Sequence, residues 1–378
     1  MTKKVIVLGA GMVGRAIVYD LSGKYNVTVV DVDESALDYC KEHYNVLTIK
    51  EDLSDVTSLA EIIDEADLVV SAVPGFMGYN TLKTAIIKGK DIVDISFMPE
   101  DFSELDNLAK ENNVTAIADC GVAPGMPNII LGHYDQKLQI EKFEYMVGGL
   151  PKERKFPFEY KAPFSPVDVL EEYTRPARVM ENGTVLSKPA MSEPELVYFE
   201  KLGHLEAFNT DGLRSLLTTM EHIPNMKEKT LRYPGHIRLI QALREAGFFD
   251  DKPIQIGENS ITPFDFTSTM LINEWKLEKN EEEFTLMKIN IQGTKGNEYR
   301  HITYELLDKF DPKTKLSSMA RTTGFTATAA VNLITHDIFT NNGVFPPEQI
   351  GRDKESYEFL MNYLKERNIV YKKKNRMK

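Results

Sequence analysis

The feature that most constrains this chain is Gly9-Ala10-Gly11-Met12-Val13-Gly14, which follows the apolar run Val5-Ile6-Val7-Leu8 and opens a stretch of helical spacing. A strand, glycines spaced G-x-G-x-x-G and a helix form the order that a dinucleotide-binding turn needs. Gly9 would make the tight turn, Gly11 would let the backbone approach a pyrophosphate, and Gly14 would let the helix pack close to the strand. Ala10, Met12 and Val13 stand at the helix start, whose unpaired N–H groups suit phosphates. Glycines in this spacing also occur in ordinary turns, so the context decides.

The context is an alternation of strands and helices. Apolar runs occur at Val5–Leu8, Val27–Val30, Val46–Ile49, Leu68–Ala72, Ile92–Ile95 and Thr115–Ala118. The segments between them carry apolar residues at helical spacing, as in Met12, Val13, Ala16, Ile17 and Leu21. Asp33, Ser54 and Asn80 stand where helix N-caps are expected. Strands separated by helices imply right-handed crossovers and a parallel sheet. With the glycine turn after the first strand, the fold expected is α/β: a Rossmann-type doubly wound sheet.

Asp31, with Val32 beside it, ends the second strand about 20 residues after the glycines, where this fold places an acidic residue. A carboxylate there accepts hydrogen bonds from the adenosine ribose hydroxyls and repels a 2′-phosphate. The expected cofactor is therefore NAD, the plainer reading being that Asp31 opens a turn before Asp33. Ligands lie beyond the carboxyl ends of parallel strands. Asp52 and Leu53, after strand three, could flank the adenine, and Ala72, Val73 and Pro74, after strand four, leave room for the second half of the dinucleotide. Ser96-Phe97 follows strand five. After strand six, the small residues Gly121, Val122 and Ala123, in a loop running to Asn128, lie where the nicotinamide should end. Asn128 is expected to cap a helix through Ile129–Leu131, and Cys120 reads as a small buried residue.

From about residue 140 the pattern changes. Strand-like segments at Lys142–Val147, Leu196–Phe199, Leu205–Phe208 and Lys229–Tyr233, with hairpin turns at Glu181–Thr184 and Thr294–Asn297, predict a mixed, largely antiparallel sheet. Helices are expected at Pro166–Tyr173 and Ile237–Ala246. This is a second, α+β domain. Thr322–Phe339 reads as a helix that returns to the first domain. The expected division is a dinucleotide-binding domain over 1–128, completed by helices from about 317–378, and a substrate-binding and dimerisation domain over 129–316.

A net charge of −12 argues against nucleic acid or an anionic membrane as partner. Lys372–Lys378 is the basic exception and reads as a solvated, frayed terminus. The two cysteines, Cys40 and Cys120, fit a reducing compartment, and no metal cluster is expected. With neither a signal peptide nor a membrane span expected, the default location is the cytoplasm.

The set Gly9–Gly14, Gly121–Met126, Leu205–Thr210, Leu231–His236 and Gly343–Glu348 resembles the saccharopine dehydrogenase/reductase family, and within it the lysine ε-dehydrogenating branch. The resemblance implies a Rossmann domain completed by C-terminal helices, a substrate domain that makes a homodimer contact, and a small amino-acid substrate. In that branch NAD takes hydride from the ε-carbon of lysine. The imine is hydrolysed to 2-aminoadipate 6-semialdehyde and ammonia, and the semialdehyde cyclises. The chain has Ala123 where the saccharopine reductases carry Asp, and Phe97 near where they carry Tyr, which points away from saccharopine. It also has Asp211-Gly212-Leu213-Arg214 in place of the Ser-Gly-Gly-type segment of the lysine enzymes. A saccharopine- or carboxyspermidine-type enzyme acting on a secondary amine, and a non-catalytic NAD-binding regulatory protein, are the competing readings.

Amine oxidation needs a neutral amine, so a base must take a proton. Candidate groups are Asp119, His204, Glu206, Asp211 and His236, with Tyr233 as a hydroxyl donor. A substrate carboxylate needs a cation, and Arg binds one bidentately. The resemblance makes Arg214 the first candidate, with Arg232 and Arg321 in reserve. Each has a structural alternative: the histidines could be satisfied in the core, Glu206 could face solvent, Asp119 could brace the Gly121–Gly125 loop, and Tyr233 could only pack.

Overall fold

The apolar runs of the N-terminal part lie side by side in one parallel sheet. The computed structural model describes residues 2–163, 166–278 and 280–377. In chain order the first elements are β1 (Lys4–Leu8), α1 (Met12–Leu21), β2 (Asn26–Asp31), α2 (Glu34–His43), β3 (Leu47–Lys50), α3 (Val56–Asp64), β4 (Leu68–Ser71), α4 (Gly75–Ile87), β5 (Asp91–Asp94), α5 (Asp106–Glu111), β6 (Thr115–Ile117) and α6 (Met126–Asp135). Next come β7 (Gln139–Pro151), α7 (Pro166–Thr174), β8 (Ala177–Glu181), β9 (Thr184–Lys188), β10 (Glu195–Phe199), β11 (Gly203–Asn209), α8 (Leu216–Thr219), β12 (Met226–Arg232) and α9 (His236–Glu245). The chain ends with β13 (Ile254–Ile256), β14 (Asn259–Ile261), α10 (Pro263–Trp275), β15 (Glu283–Lys295), β16 (Glu298–Lys309), α11 (Ser318–Thr335), β17 (Gly343–Phe345), α12 (Pro347–Arg352), α13 (Lys354–Glu366) and β18 (Lys372–Met377).

One unit comprises Met1–Ile140, Ile291–His301 and Met319–Lys378. Its parallel sheet has the order β17-β6-β5-β4-β1-β2-β3. The order reverses between β1 and β4, which makes their carboxyl ends the topological switch point. Leu8, the last residue of β1, lies opposite Val30 on one side and Ser71 on the other. Val5 to Leu8 are all buried, as strands covered by helices on both faces must be. α1 buries Ala16, Ile17, Val18 and Leu21, and full burial of each Ile, Val or Leu contributes roughly 1.5–3 kcal/mol. The expected return of the late helix is present: α11 passes so close to α1 that a Cβ on Gly324 would lie 3.1 Å from Ala16.

Several local expectations are corrected. Asp33 caps α2 as expected, its carboxylate accepting from Ser35 N–H, but α3 is capped by Asp55 rather than Ser54. Helix α4 begins at Gly75, directly after Pro74, which leaves Asn80 inside it. Asn128 caps α6 from its third position rather than from the N-cap: the helix starts after Gly125 at φ 136°, and Asn128 Oδ1 accepts from Gly125 N–H at 3.4 Å. The first unit runs on to Ile140, past the boundary expected at 128, because α6 packs on α12. A Cβ on Gly132 would lie 2.0 Å from the Glu348 carbonyl oxygen, and one on Gly351 as close to that of Ile129. The basic tail is not frayed: Lys372–Met377 forms an edge strand, because backbone pairing does not depend on side-chain charge. Lys378 lies outside the described residues.

The second unit comprises Glu141–Asn290 and Ile302–Ser318. Its sheet runs β10-β11-β12-β7-β15-β16. β12 pairs with β7 in parallel, while β10–β11, β11–β12 and β8–β9 are antiparallel. The β8–β9 hairpin turns at Asn182 and Gly183 with φ 50° and 76°, the positive pair that a two-residue hairpin loop requires. Helix α10 has no counterpart in the sequence expectations. It delivers Trp275 into a core with Tyr160, Tyr173, Phe208 and Ile240.

Candidate functional site

The first unit builds the glycine turn as expected. Gly9 has φ 106°, and a Cβ on it would lie 2.5 Å from the Ala72 carbonyl oxygen. A Cβ on Gly14 would lie 2.1 Å from the Gly9 carbonyl oxygen. These two positions therefore need glycine for conformation and for close approach. Gly11 differs: nothing lies within 4 Å of where its Cβ would be. The N-terminus of α1, whose first N–H groups have no partner within the helix, thus opens on free space. The cradle fits a pyrophosphate. Met12 is partly exposed beside it, and Ala10 is buried beneath.

Asp31 ends β2 under this turn. Its Oδ2 accepts from Ala10 N–H at 2.6 Å and its Oδ1 from Asp33 N–H at 2.8 Å. Arg15 lies close by, its Nε donating to the Ala10 carbonyl oxygen at 3.0 Å and its guanidinium 4.6 Å from the Tyr39 ring centroid. Val32 is exposed and Leu53 buried. Asp52 accepts from Ser54 N–H in a local turn. Val73 is buried and Pro74 leads into α4, where a Cβ on Gly75 would lie 2.5 Å from the Phe97 carbonyl oxygen. Beyond β6, Gly121 and Val122 are buried with Ala123 half-buried after them. Cys120 is buried as expected, and burial, then the charges of Asp119 and Asp94, push its thiol up to about 12.

Asp94 was not singled out from the sequence. It ends β5 wholly buried. Ser96 donates to it from N–H at 3.0 Å and from its hydroxyl at 2.8 Å. Burial, with the charge of Asp119 adding to it, pushes the Asp94 carboxyl up to about 7 against the hydrogen bonds of Ser96. Asp119 is also buried, at φ 54°. An acid closing the apolar pair Ile92-Val93 at the carboxyl end of the strand was the available signal.

The second unit gathers a different set. Arg232 is buried, with Nε donating to the Tyr173 hydroxyl at 2.9 Å and Nη2 ion-paired to Glu172. Its guanidinium carbon stands 4.3 Å from the Tyr160 ring centroid. Tyr173 in turn meets His236 Nε2 at 2.9 Å, while His236 Nδ1 lies 2.9 Å from the Phe158 carbonyl oxygen. The carbonyl accepts only, so the partners assign the proton to Nδ1 and make Tyr173 the donor to Nε2. Both His236 nitrogens are engaged inside the core. Burial, then the Arg232 charge, pulls its pKa down to about 3.

Asp211 is held by Arg178 through Nε and Nη2, each at 2.9 Å. The neighbouring Glu228 accepts from the Thr210 hydroxyl and from Gly212 N–H. Burial pushes its carboxyl up to about 8, with Glu172 and Asp211 adding to it. Glu206 receives Gly235 N–H at 3.2 Å, which places a carboxylate at the start of α9. The Tyr233 hydroxyl donates to the Pro151 carbonyl oxygen at 2.9 Å. His204 is exposed, 5.3 Å from the Tyr198 ring. Arg214, at φ 48°, precedes α8 and is half-buried. Arg321 belongs to the first unit, where Nη2 donates to the Arg367 carbonyl oxygen. Arg178 and Glu228 escaped the sequence reading because charges alternating along a strand look solvated, and Glu172 because an acid late in a helix such as α7 reads as part of a solvated face.

The parallel sheet, the glycine turn at its switch point and the acid ending β2 define a Rossmann-type dinucleotide-binding domain. Among the described residues no helix is long and apolar enough to cross a membrane, and no group of three or more His, Cys, Asp or Glu is placed to hold a metal.

The chain belongs to the saccharopine dehydrogenase family. The family model for the saccharopine dehydrogenase NADP binding domain matches residues 5–117, and that for the saccharopine dehydrogenase C-terminal domain matches residues 121–370. The saccharopine dehydrogenase [NADP(+), L-glutamate-forming] of Saccharomyces cerevisiae is 25% identical over 276 residues, 69% of this chain and 62% of that one. The alpha-aminoadipic semialdehyde synthase of Arabidopsis thaliana is 26% identical over 227 residues, 56% of this chain and 21% of that one. The chain thus spans only part of the length of these relatives. The solved apo saccharopine dehydrogenase (L-Glu forming) from Saccharomyces cerevisiae shares the fold, with TM-score 0.80 at 20% identity over 99% of this chain and 100% of that one.

Proposed function

We propose that the protein is an NAD-dependent oxidoreductase acting on the CH–NH2 group of an amino acid, with L-lysine oxidised at its ε-carbon as L-lysine 6-dehydrogenase does. Asp31 carries the cofactor half of this reading. Its carboxylate is fixed by two backbone N–H groups at the end of β2, where this fold receives the adenosine ribose. A fixed negative charge there accepts from the ribose hydroxyls and repels a 2′-phosphate. NAD is then preferred, in contrast to the NADP(+) in the yeast relative's name.

Bound NAD supplies the hydride acceptor. The chain supplies the rest: the α1 N-terminus and Gly11 hold the pyrophosphate, and Asp31 fixes the ribose. Asp119 is the candidate to take the ammonium proton. An ammonium has no lone pair to assist hydride loss from the ε-carbon, so this proton must leave first. Water then adds to the resulting iminium carbon and ammonia leaves, giving 2-aminoadipate 6-semialdehyde, which cyclises. Arg214 is the candidate for the substrate carboxylate, because the resemblance implies a carboxylate-binding Arg in its segment. The first unit would be the dinucleotide domain and the second the substrate and homodimer domain.

The relatives' names favour a second reading, a saccharopine-type enzyme. Ala123 and Phe97, in place of the Asp and Tyr of those enzymes, weigh against it. The test is to follow NADH formation with NAD and L-lysine, then with saccharopine and either cofactor. Activity with lysine supports the first reading. Turnover of saccharopine alone would replace it, and nucleotide binding without turnover of any amine would leave a binding protein.

A further inference from the structure

Two opposite charges grip the same residue of the glycine turn without pairing with each other. Asp31 takes the Ala10 N–H at 2.6 Å, and Arg15 Nε donates to the Ala10 carbonyl oxygen at 3.0 Å. The second Asp31 oxygen takes Asp33 N–H at 2.8 Å, and Asp33 itself caps α2 through Ser35. Glu34, next along, pairs with Lys50. Among the described residues Arg15 is left in no ion pair, and its two terminal guanidinium nitrogens make no hydrogen bond. The side chain is nonetheless held. Its guanidinium carbon stands 4.6 Å from the Tyr39 ring centroid, and Tyr39 is stacked in turn on His43, with centroids 4.0 Å apart at 15°. The Cys40 thiol, which burial pushes up to about 11, feels the charges of both Arg15 and Asp31, so the two share one neighbourhood where α1, α2 and the end of β2 meet.

We infer that Arg15 is a second specificity residue of the nucleotide site: its guanidinium receives a phosphate on the adenosine 2′-oxygen, against the repulsion of Asp31, so that the chain binds NADP as well as NAD and favours NAD only by the difference. The inference rests on the reading that the adenosine ribose lies at the end of β2. A 2′-phosphate stands in place of a hydroxyl that Asp31 would accept from, and so enters the neighbourhood of Arg15. It carries nearly two negative charges at neutral pH and three acceptor oxygens. The planar fork of a guanidinium matches two of those oxygens at once. Because Ala10 and the Tyr39 ring already hold the Arg15 side chain, little rotamer freedom is lost when the phosphate arrives. A neutral ribose hydroxyl gains nothing comparable. Cofactor choice is then a balance of two charges, with Asp31 favouring the hydroxyl and Arg15 the phosphate.

The test reads the ratio of two dissociation constants. NADH and NADPH are titrated into the whole protein, followed by the fluorescence of the reduced nicotinamide, at low and at high salt. The unmodified protein is expected to bind both, NADH more tightly, with NADPH the more sensitive to salt. Arg15→Met keeps an aliphatic stem over Tyr39 and removes the charge. It is expected to weaken NADPH at least about tenfold more than NADH and to bring the two salt dependences together. Arg15→Lys keeps the charge without the fork and is expected to fall between. Both variants should melt within a few degrees of the parent, and should Arg15→Met fail to fold, Arg15→Lys carries the same comparison. Equal losses for the two nucleotides would put Arg15 on the pyrophosphate they share and overturn the inference. An unchanged ratio, or a parent that binds NADH and no NADPH, overturns it too. The role of Asp31 is read separately: equal affinities in the parent, with NADPH selectively weakened in Arg15→Met, would sink the repulsion by Asp31 and leave Arg15 as the phosphate partner. Binding of neither nucleotide overturns the nucleotide assignment with it.

Discussion

The Asp31 carboxylate accepts the Ala10 N–H at 2.6 Å, so the acid proposed to meet the cofactor also pins the turn proposed to hold it. Ala10 is wholly buried, and a buried N–H left without its acceptor costs about 1–3 kcal/mol. Asp31→Ala is therefore expected to lower the thermal midpoint as well as weaken NAD binding, and to erase the preference for NAD over NADP. Asp31→Asn keeps one oxygen acceptor and should restore most of the stability without the cofactor preference. Equal NAD and NADP affinities in the unmodified protein would refute this role for Asp31.

Gly11 and Gly14 should separate binding from folding. A methyl group on Gly14 would meet the Gly9 carbonyl oxygen at 2.1 Å, and relieving that clash means moving α1, at a cost of about 1–3 kcal/mol. Gly14→Ala is expected to lose stability and NADH binding together. A methyl group on Gly11 meets nothing, so Gly11→Ala should melt within a few degrees of the parent yet bind NADH at least about tenfold more weakly. If Gly11→Ala binds normally, the space above it does not hold the pyrophosphate.

The nucleotide half was the more legible half of the sequence. Short apolar runs bounded by glycine and acidic residues fix strand ends well, and ligand positions in a parallel sheet follow from strand ends. That is why Gly9, Gly14 and Asp31 fall where spacing put them. Caps erred by a residue or a turn because Ser54 and Asp55, or Pro74 and Asn80, offer competing starts. The second unit was harder. Glu228, Thr230 and Arg232 share one face of β12, but Lys227 before them and Lys229 among them make the strand read as solvated. Their burial depends on α7, which is distant in sequence. The joining of α6 to α12 likewise rests on Gly132 and Gly351, more than 200 positions apart, and no local pattern announces it.

Two of the three arginines considered for a substrate carboxylate, Arg232 and Arg214, should respond differently. Arg232 is buried and paired with Glu172, and breaking a buried pair on one side costs about 3 kcal/mol or more. Arg232→Met is expected to destabilise the second unit whether or not substrate is present. Arg214 lies half-buried before α8. Arg214→Ala should raise the Michaelis constant for lysine about tenfold or more, with a smaller effect on kcat, the signature of lost ground-state binding. An unchanged Michaelis constant would remove Arg214 from the site.

His236 makes the second unit acid-sensitive in a way that can be read directly. Its Nδ1 proton goes to the Phe158 carbonyl and its Nε2 lone pair takes the Tyr173 proton, so the neutral ring fits and a second proton does not. The folded pKa is pulled down to about 3 from the ordinary 6.5. Between these values the unfolded chain binds a proton that the folded chain refuses. The stability from the neutral ring is thus fully present above about pH 6.5 and falls by up to about 1.4 kcal/mol for each unit of acidification below it. Trp275 is the single tryptophan, and its ring lies 5.9 Å from His236 in the same core, so its fluorescence reports this unit. Urea midpoints followed by that signal should decline more steeply from about pH 6.5 to about pH 4 in the parent than in His236→Asn. Carboxyls such as Glu228 titrate alike in both proteins, so the difference in slope isolates the imidazole. Parallel declines would show that His236 accepts a proton in the folded state and is free to act as a base.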